Sequence, residues 1–166
     1  SRLYNRAKEL NVPWCVTEKI DGTHIGLTVS KDSYQLNTRN NIIESQNFFN
    51  IYNTKYLLEP VIKVIQEFVD SYSTITLFGE YYGTNVMNRI NYKVPYDFKF
   101  YAIGESFGND FMYYEQRSFR NIMASRYLYK FTVPLLYIGT FEECINDTNN
   151  EYSRLNTNET MEGVVI

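Results

Sequence analysis

The octapeptide Thr17-Glu18-Lys19-Ile20-Asp21-Gly22-Thr23-His24 sets an Asp-Gly pair between two β-rich runs. Gly22 permits a tight turn or a close backbone approach. Asp-Gly between strand-forming runs is also the ordinary mark of a hairpin. Upstream, Pro13-Trp14-Cys15-Val16 leads into a strand that ends near Lys19. Downstream, Ile25, Leu27 and Val29 alternate with Gly26 and Thr28, the pattern of a half-buried strand. Tyr34 to Thr38 reads as the hairpin partner of that strand. A chain that starts this way is built on sheets, and its other elements must pack against them.

Those elements follow in mixed order. Arg2 to Leu10 predicts a short helix. Pro60 to Tyr72 carries Val61, Ile62, Val64, Ile65, Phe68 and Val69 at helical spacing, with Pro60 suited to a first turn. Thr74 to Tyr82 and Asp97 to Ile103 predict strands, and Glu115 to Tyr129 predicts a helix. Pro134 to Gly139 and Glu162 to Ile166 predict two more strands, the last of them buried. The polar run from Asn146 to Asn158 predicts a surface loop. No internal repeat is visible. Antiparallel-looking strands with interspersed helices place the chain in the α+β class.

At 166 residues the chain has the size of one domain with a real core. Net charge is −3, so no global basic field draws in nucleic acid. Contact with a polyanion must come from a local patch or from other parts of a longer chain. The 16 Tyr and 11 Phe make an aromatic-rich sequence suited to half-wet surfaces. Two cysteines, Cys15 and Cys144, cannot build a disulfide framework, and no Cys-x-x-Cys spacing offers a zinc site. This cysteine usage fits a reducing intracellular compartment, cytoplasmic or otherwise. No apolar run reaches the ~18 residues that span a bilayer, and no charged-then-apolar leader opens the chain. The start at Ser1 and the stop at Val164-Val165-Ile166 read as cut ends of a longer domain. Abundant Asn, Tyr and Ile give a low-GC flavour of the kind found in viruses and phages.

Five segments, in order, carry chemistry: Glu18-Lys19-Ile20-Asp21-Gly22-Thr23; Asn37-Thr38-Arg39-Asn40; Leu77-Phe78-Gly79-Glu80-Tyr81-Tyr82-Gly83; Asp97-Phe98-Lys99-Phe100-Tyr101-Ala102-Ile103; and Met161-Glu162-Gly163-Val164-Val165-Ile166. Each alone is loose, and an ordered set of five is specific. Over residues 18–166 the series resembles the covalent nucleotidyltransferases, and most of all the ATP-dependent RNA ligase branch that joins nicked or broken RNA. The resemblance implies a nucleotidyltransferase (ATP-grasp-like) domain of antiparallel sheets with flanking helices. It implies that Lys19 attacks the α-phosphate of ATP, that AMP passes to an RNA 5′-phosphate, and that a 3′-hydroxyl then displaces AMP. A lysine can attack phosphorus only when unprotonated, and a free lysine has a pKa near ~10.4, so such a site must supply burial, cations or a metal.

The resemblance also distributes the supporting roles. Glu18 would lie against the adenine and Ile20 beside the nucleotide. Arg39 would hold a phosphate or the ribose, for which a planar fork of donors is suited. Glu80 would meet the ribose hydroxyl or a metal-bound water. Glu162, with Glu80, would hold Mg²⁺ or Mn²⁺, hard cations that take carboxylate and water oxygens. Tyr101 is the expected stacking ring for adenine, with strand alternation placing Lys99, Tyr101 and Ile103 on one face and Phe98, Phe100 and Ala102 on the other.

Several alternatives stay open on sequence alone. Taken singly, Glu80 reads as a solvated strand-edge residue, Arg39 as a surface charge, Tyr101 as a packed aromatic and Glu162 as a loop carboxylate. His24 stands where RNA ligases usually carry Asn and where DNA ligases and capping enzymes carry Arg; it is expected to line the pocket without a further role. Arg117, Arg120, Arg126 and Lys130 split between opposite helix faces and read as solvated charge rather than a nucleic-acid strip. The family's final motif, a pair of lysines on the next strand, lies past Ile166, which fits a truncated domain. RNA is the expected partner, engaged together with regions outside this chain, by a monomer that meets no membrane. A DNA ligase, a GTP-using capping enzyme and a non-catalytic nucleotide-binding module are the competing readings.

Overall fold

The computed structural model describes residues 1–44, 48–147 and 151–166. Two antiparallel sheets organise them. The larger has the order β3 (Tyr34–Asn37), β2 (Thr23–Val29), β4 (Ser73–Tyr82), β5 (Asp97–Phe107), β6 (Asp110–Tyr113). The smaller has β1 (Trp14–Glu18) at its centre, between β7 (Leu135–Gly139) and β8 (Val164–Val165). The helices are α1 (Arg2–Glu9), α2 (Ile51–Thr54), α3 (Glu59–Phe68), α4 (Gln116–Ser125) and α5 (Phe141–Asn146). The expected α+β class of antiparallel sheets with flanking helices is therefore what the chain adopts.

One face of the large sheet carries the main core. Ile25, Leu27 and Val29 from β2, Leu77 and Tyr81 from β4, and Phe98, Phe100 and Ile103 from β5 meet Leu58, Val61 and Ile65 around α3 and Phe119 and Met123 from α4. Period-2 alternation in β2 and β4 creates that apolar face, and the 3.6-residue spacing in α3 creates its cover. Pro60 sits in the first turn of α3 as expected. A second, smaller cluster gathers Ile20, Tyr82, Ile90, Tyr92 and Val133, with Tyr101 and Leu155 packed against it. It lies beneath the segment that holds Lys19.

The Asp21-Gly22 pair does not close a hairpin. β1 pairs with β7 and β8, and β2 pairs with β3 and β4, so Lys19 to Gly22 is a link that steps from one sheet to the other. Glycine is required there: a Cβ on Gly22 would lie 2.5 Å from the Tyr81 carbonyl oxygen and 2.9 Å from the Tyr82 Cβ.

Other boundaries move for identifiable reasons. α3 stops at Phe68, short of Tyr72, and α4 stops at Ser125, with a separate 3₁₀ turn at Tyr129–Phe131. β5 runs on to Phe107 because β4 pairs with it along its whole length and β6 pairs with its end. β8 is only two residues long, and Val164, Val165 and Ile166 are 37, 49 and 42% exposed, so the strand expected to be buried is a surface strand. In the polar run from 146 to 158, residues 148–150 fall outside the described residues, and residues 151–158 form no helix or extended strand. Among the described residues no helix is long and apolar enough to cross a membrane.

Candidate active site

From Val16 to Asp21 the chain is buried at every position except Lys19. Val16 is fully buried, Ile20 is anchored in the smaller cluster, and Asp21 is 4% exposed, whereas the Lys19 side chain is 57% exposed. The backbone is held on both sides: the Glu18 N–H donates to the Pro134 carbonyl and the Lys19 N–H donates to the Gly163 carbonyl, each at 3.0 Å. A flexible amine is thus mounted on a fixed strand end. The same Gly163 follows Glu162, whose Oε1 lies 3.9 Å from the Lys19 Nζ.

The large sheet supplies the opposite wall. His24, Glu80 and Lys99 form one cross-strand row through β2, β4 and β5. β4 is the central strand of its sheet, so Glu80 is not a strand-edge residue. Burial first, and then the negative charges of Glu162 and Asp21, together raise the Glu80 carboxyl to about 7, with Lys19 opposing. Lys19, Asp21, Glu80 and Glu162 therefore share one electrostatic neighbourhood although they come from three separate parts of the chain.

Tyr101 reaches this wall through a β-bulge. Phe78 pairs with Ala102 and the next residue, Gly79, pairs with Phe100, leaving Tyr101 as the extra residue. The simple alternation expected for residues 97–103 breaks at that point. Ile103 joins Phe98 and Phe100 in the main core, and Tyr101 turns to the smaller cluster and to His24. The Tyr101 hydroxyl and His24 Nδ1 are 2.9 Å apart, and the two rings are tilted at 41°. Burial holds the His24 pKa below its usual value, with the Arg39 charge acting in the same direction; burial and the Glu80 charge push the Tyr101 phenol to about 12. Arg39 is exposed in the turn after β3 and acts on both rings, which places it at the rim of the same wall.

Glu18 has a different setting from the one expected. Its carboxylate is 1% exposed and accepts from the Ser153 hydroxyl at 2.6 Å and the Arg154 N–H at 2.7 Å. Both of its oxygens are thus engaged by the segment that leads to Glu162. Glu18 acts as a tie between β1 and that segment.

Two groups at the site carry no sequence signal. Tyr92 accepts the Asp21 N–H at 2.8 Å. Arg89 grips the Asp21 carboxylate from Nη2 at 2.5 Å and from Nε at 3.2 Å, and its Nη2 lies 3.9 Å from Glu162 Oε1. Both belong to the polar loop between β4 and β5, which no motif marks. Past the end of α4, Arg126 lies over the Phe68 ring and Lys130 over the Phe131 ring. A surface hollow of about 680 Å³ beside α2 and α3 is lined by Tyr34, Tyr52, Tyr56 and Lys63 and has no part in this constellation.

The arrangement combines an exposed amine, three carboxylates, an arginine fork and an aromatic wall. That set suits a substrate with a flat ring at one end and phosphates at the other. Solved structures similar to the chain come from a Naegleria gruberi RNA ligase. A variant with ATP and Mn superposes with a TM-score of 0.71 at 19% identity, covering 98% of this chain and 48% of that one. An apo variant gives 0.74 at 18% identity, covering 98% and 47%. A variant with AMP and Mn gives 0.71 at 19% identity, covering 98% and 48%. The likeness establishes the fold, and the chain spans about half the length of the structures it matches. Among curated proteins none matches this chain. The family model described as RNA ligase matches residues 12–166, nearly the full length, and the chain belongs to the RNA ligase family.

Proposed function

We propose that this chain is the adenylyltransferase domain of an ATP-dependent RNA ligase, with Lys19 as the nucleophile. The observation that carries the reading is the exposed Lys19 amine on an otherwise buried strand end, 3.9 Å from Glu162 and within the field of Glu80. In the first step Lys19 Nζ attacks the α-phosphorus of ATP. A P–N bond forms, the P–O bond to pyrophosphate breaks, and the amine gives up its proton. In the second step an RNA 5′-phosphate takes AMP from Lys19, and in the third a 3′-hydroxyl displaces AMP to seal the strand. Each is an in-line displacement at phosphorus, governed by positioning and charge neutralisation.

The supporting groups take roles consistent with where they sit. Tyr101 offers its ring to adenine, with His24 fixing the hydroxyl. Ile20 anchors the link beneath the nucleotide. Arg39 at the rim contacts ribose or phosphate. Glu18 serves from beneath, by holding the strand and the Glu162 segment together. Glu80 and Glu162 hold Mg²⁺ or Mn²⁺. The donor set fits such a cation, because Glu80 and Glu162 bring carboxylate oxygens into one neighbourhood with Asp21. Among the described residues no group of three His, Cys, Asp or Glu could hold a metal by itself, so the proposed cation requires substrate phosphates and water as its remaining ligands. When bound, the cation neutralises phosphate charge and stabilises the leaving pyrophosphate. The free thiols Cys15 and Cys144 favour an intracellular, reducing setting.

Incubation of the protein with ATP and Mg²⁺, followed by intact-mass measurement, is expected to show a covalent AMP adduct that Lys19→Ala abolishes. Persistence of the adduct in that variant removes Lys19 from the role. Labelling by GTP instead of ATP points to a capping enzyme, and binding of ATP with no adduct points to a non-catalytic module. Sealing of nicked RNA but not nicked DNA separates the two kinds of ligase.

A further inference from the structure

Arg89 is the one arginine among the described residues that is ion-paired to both Asp21 and Glu162. Its Nη2 and the Lys19 Nζ each lie 3.9 Å from the same oxygen, Glu162 Oε1, so the two cationic groups are at most twice that distance apart. The Arg89 side chain is 72% exposed, whereas the Asp21 it grips is 4% exposed. Its charge is thus held from behind by a buried carboxylate and presented outward.

The loop that carries it is built to keep it there. Thr84 and Asn85 donate their N–H groups to the Val94 and Pro95 carbonyls, and Met87 donates to Gly83. Gly83 adopts a φ of +136°, where a side chain would be strained. On either side of Asn91, Ile90 and Tyr92 are buried against Ile20 and Tyr82. Asn91 is tied to the 151–161 segment, through its N–H to Glu159 and its carbonyl to Asn156. Arg89 is therefore positioned before any ligand arrives, and little side-chain entropy remains to be lost on contact.

Charge balance shows what such a group would do. Lys19 is surrounded by Asp21, Glu80 and Glu162, so with Arg89 included the neighbourhood sets two cationic groups among three carboxyl groups, of which Glu80 is held up at about 7. A triphosphate or a 5′-phosphate brought to the Lys19 amine adds more negative charge. Arg89 uses Nε and Nη2 on Asp21, and its Nη1 donates to none of the described residues. A guanidinium with free donors at this range from a nucleophilic amine matches phosphate oxygens on or next to the reacting phosphorus.

We infer that Arg89 is a phosphate-contacting residue of this site, gripping oxyanions close to the phosphorus that reacts. The inference rests on the adenylyltransferase reading. The phosphate chemistry has two sources, the nucleotide's own chain or the RNA 5′-phosphate, and the test separates them. In the full chain, equilibrium binding of ATP and of adenosine is compared between wild type and Arg89→Gln, and transfer of AMP from the adduct to a 5′-phosphorylated RNA is followed separately. If the nucleotide is the source, ATP binding weakens about tenfold or more, the scale of one charge-assisted contact, and adenosine binding is unchanged. If RNA is the source, ATP binding holds and the transfer step falls by a similar factor. Arg89→Lys keeps a positive charge for Asp21 and loses the planar fork, so it is expected to show the same selective loss at smaller size even if Arg89→Gln folds poorly. Equal loss of ATP and adenosine would reduce Arg89 to a brace for Asp21 and overturn the inference, as would wild-type behaviour in every arm. Failure of the Lys19 reading shows separately, as a wild-type protein that forms no adduct, while the ATP-versus-adenosine comparison stays readable.

Discussion

At the scale of single residues, the site is a contest over charge. Glu80 bears it most visibly. Its carboxyl titrates at about 7 when folded against an ordinary 4.5. A raised carboxyl binds its proton more tightly in the folded state. Below pH 4.5 both states are protonated and the shift has no effect; between 4.5 and 7 the unfolded chain ionises first and stability is lost; above 7 the full penalty is present. Glu80→Gln is therefore expected to melt higher than wild type by a margin that opens between pH 4.5 and 7 and then levels. That margin is about 1–2 kcal/mol after allowance for solvent screening. Thermal melts across pH 4–8 measure it, and a margin that does not change with pH would contradict the raised Glu80 carboxyl. Glu18 makes the opposite point. An acidic residue next to Lys19 looks like a substrate contact in the sequence, whereas its hydrogen-bond partners lie 135 and 136 residues away, and such a tie leaves no local trace. Arg89 was equally invisible, since it lies in a polar loop without a motif.

At the scale of elements, the link from Lys19 to Gly22 decides how the site is put together. Gly22→Ala would drive a Cβ into the Tyr81 carbonyl and the Tyr82 Cβ. An overpacked contact against backbone costs about 1–3 kcal/mol, and displacement of the neighbouring amine by 1 Å can lower a rate about a hundredfold. Urea denaturation paired with the rate of adduct formation is expected to show a modest stability loss beside a much larger rate loss. Strands β2 and β4 were legible because each has one buried face, which imprints alternation on the sequence. β6 was not: all four of its residues are exposed, so no apolar rhythm marks it. The bulge at Tyr101 was hidden too, because an extra residue in one strand is defined only by its partner. Motif order singles out Lys19, Glu80 and Glu162 as candidates, and the distances between them were not legible.

At the scale of the molecule, two apolar clusters divide the labour. Leu77→Ala, in the main core, is expected to cost about 2–5 kcal/mol and to leave the adduct rate of the remaining folded protein near that of wild type. Ile20→Ala, in the smaller cluster under the link, is expected to lose adduct formation out of proportion to its stability loss. Denaturant midpoints with labelling rates corrected for the folded fraction test both, and equal behaviour of the two variants would refute the division.

β1 finds its partners at Leu135–Gly139 and Val164–Val165, whereas every strand of the large sheet lies before residue 114. During synthesis the large sheet can therefore pair while β1 still waits, because a ribosome must deliver some fifty more residues before the strand that leads to Lys19 is enclosed. A nascent chain interrupted before Leu135 therefore holds Lys19 without either of the strands that flank β1.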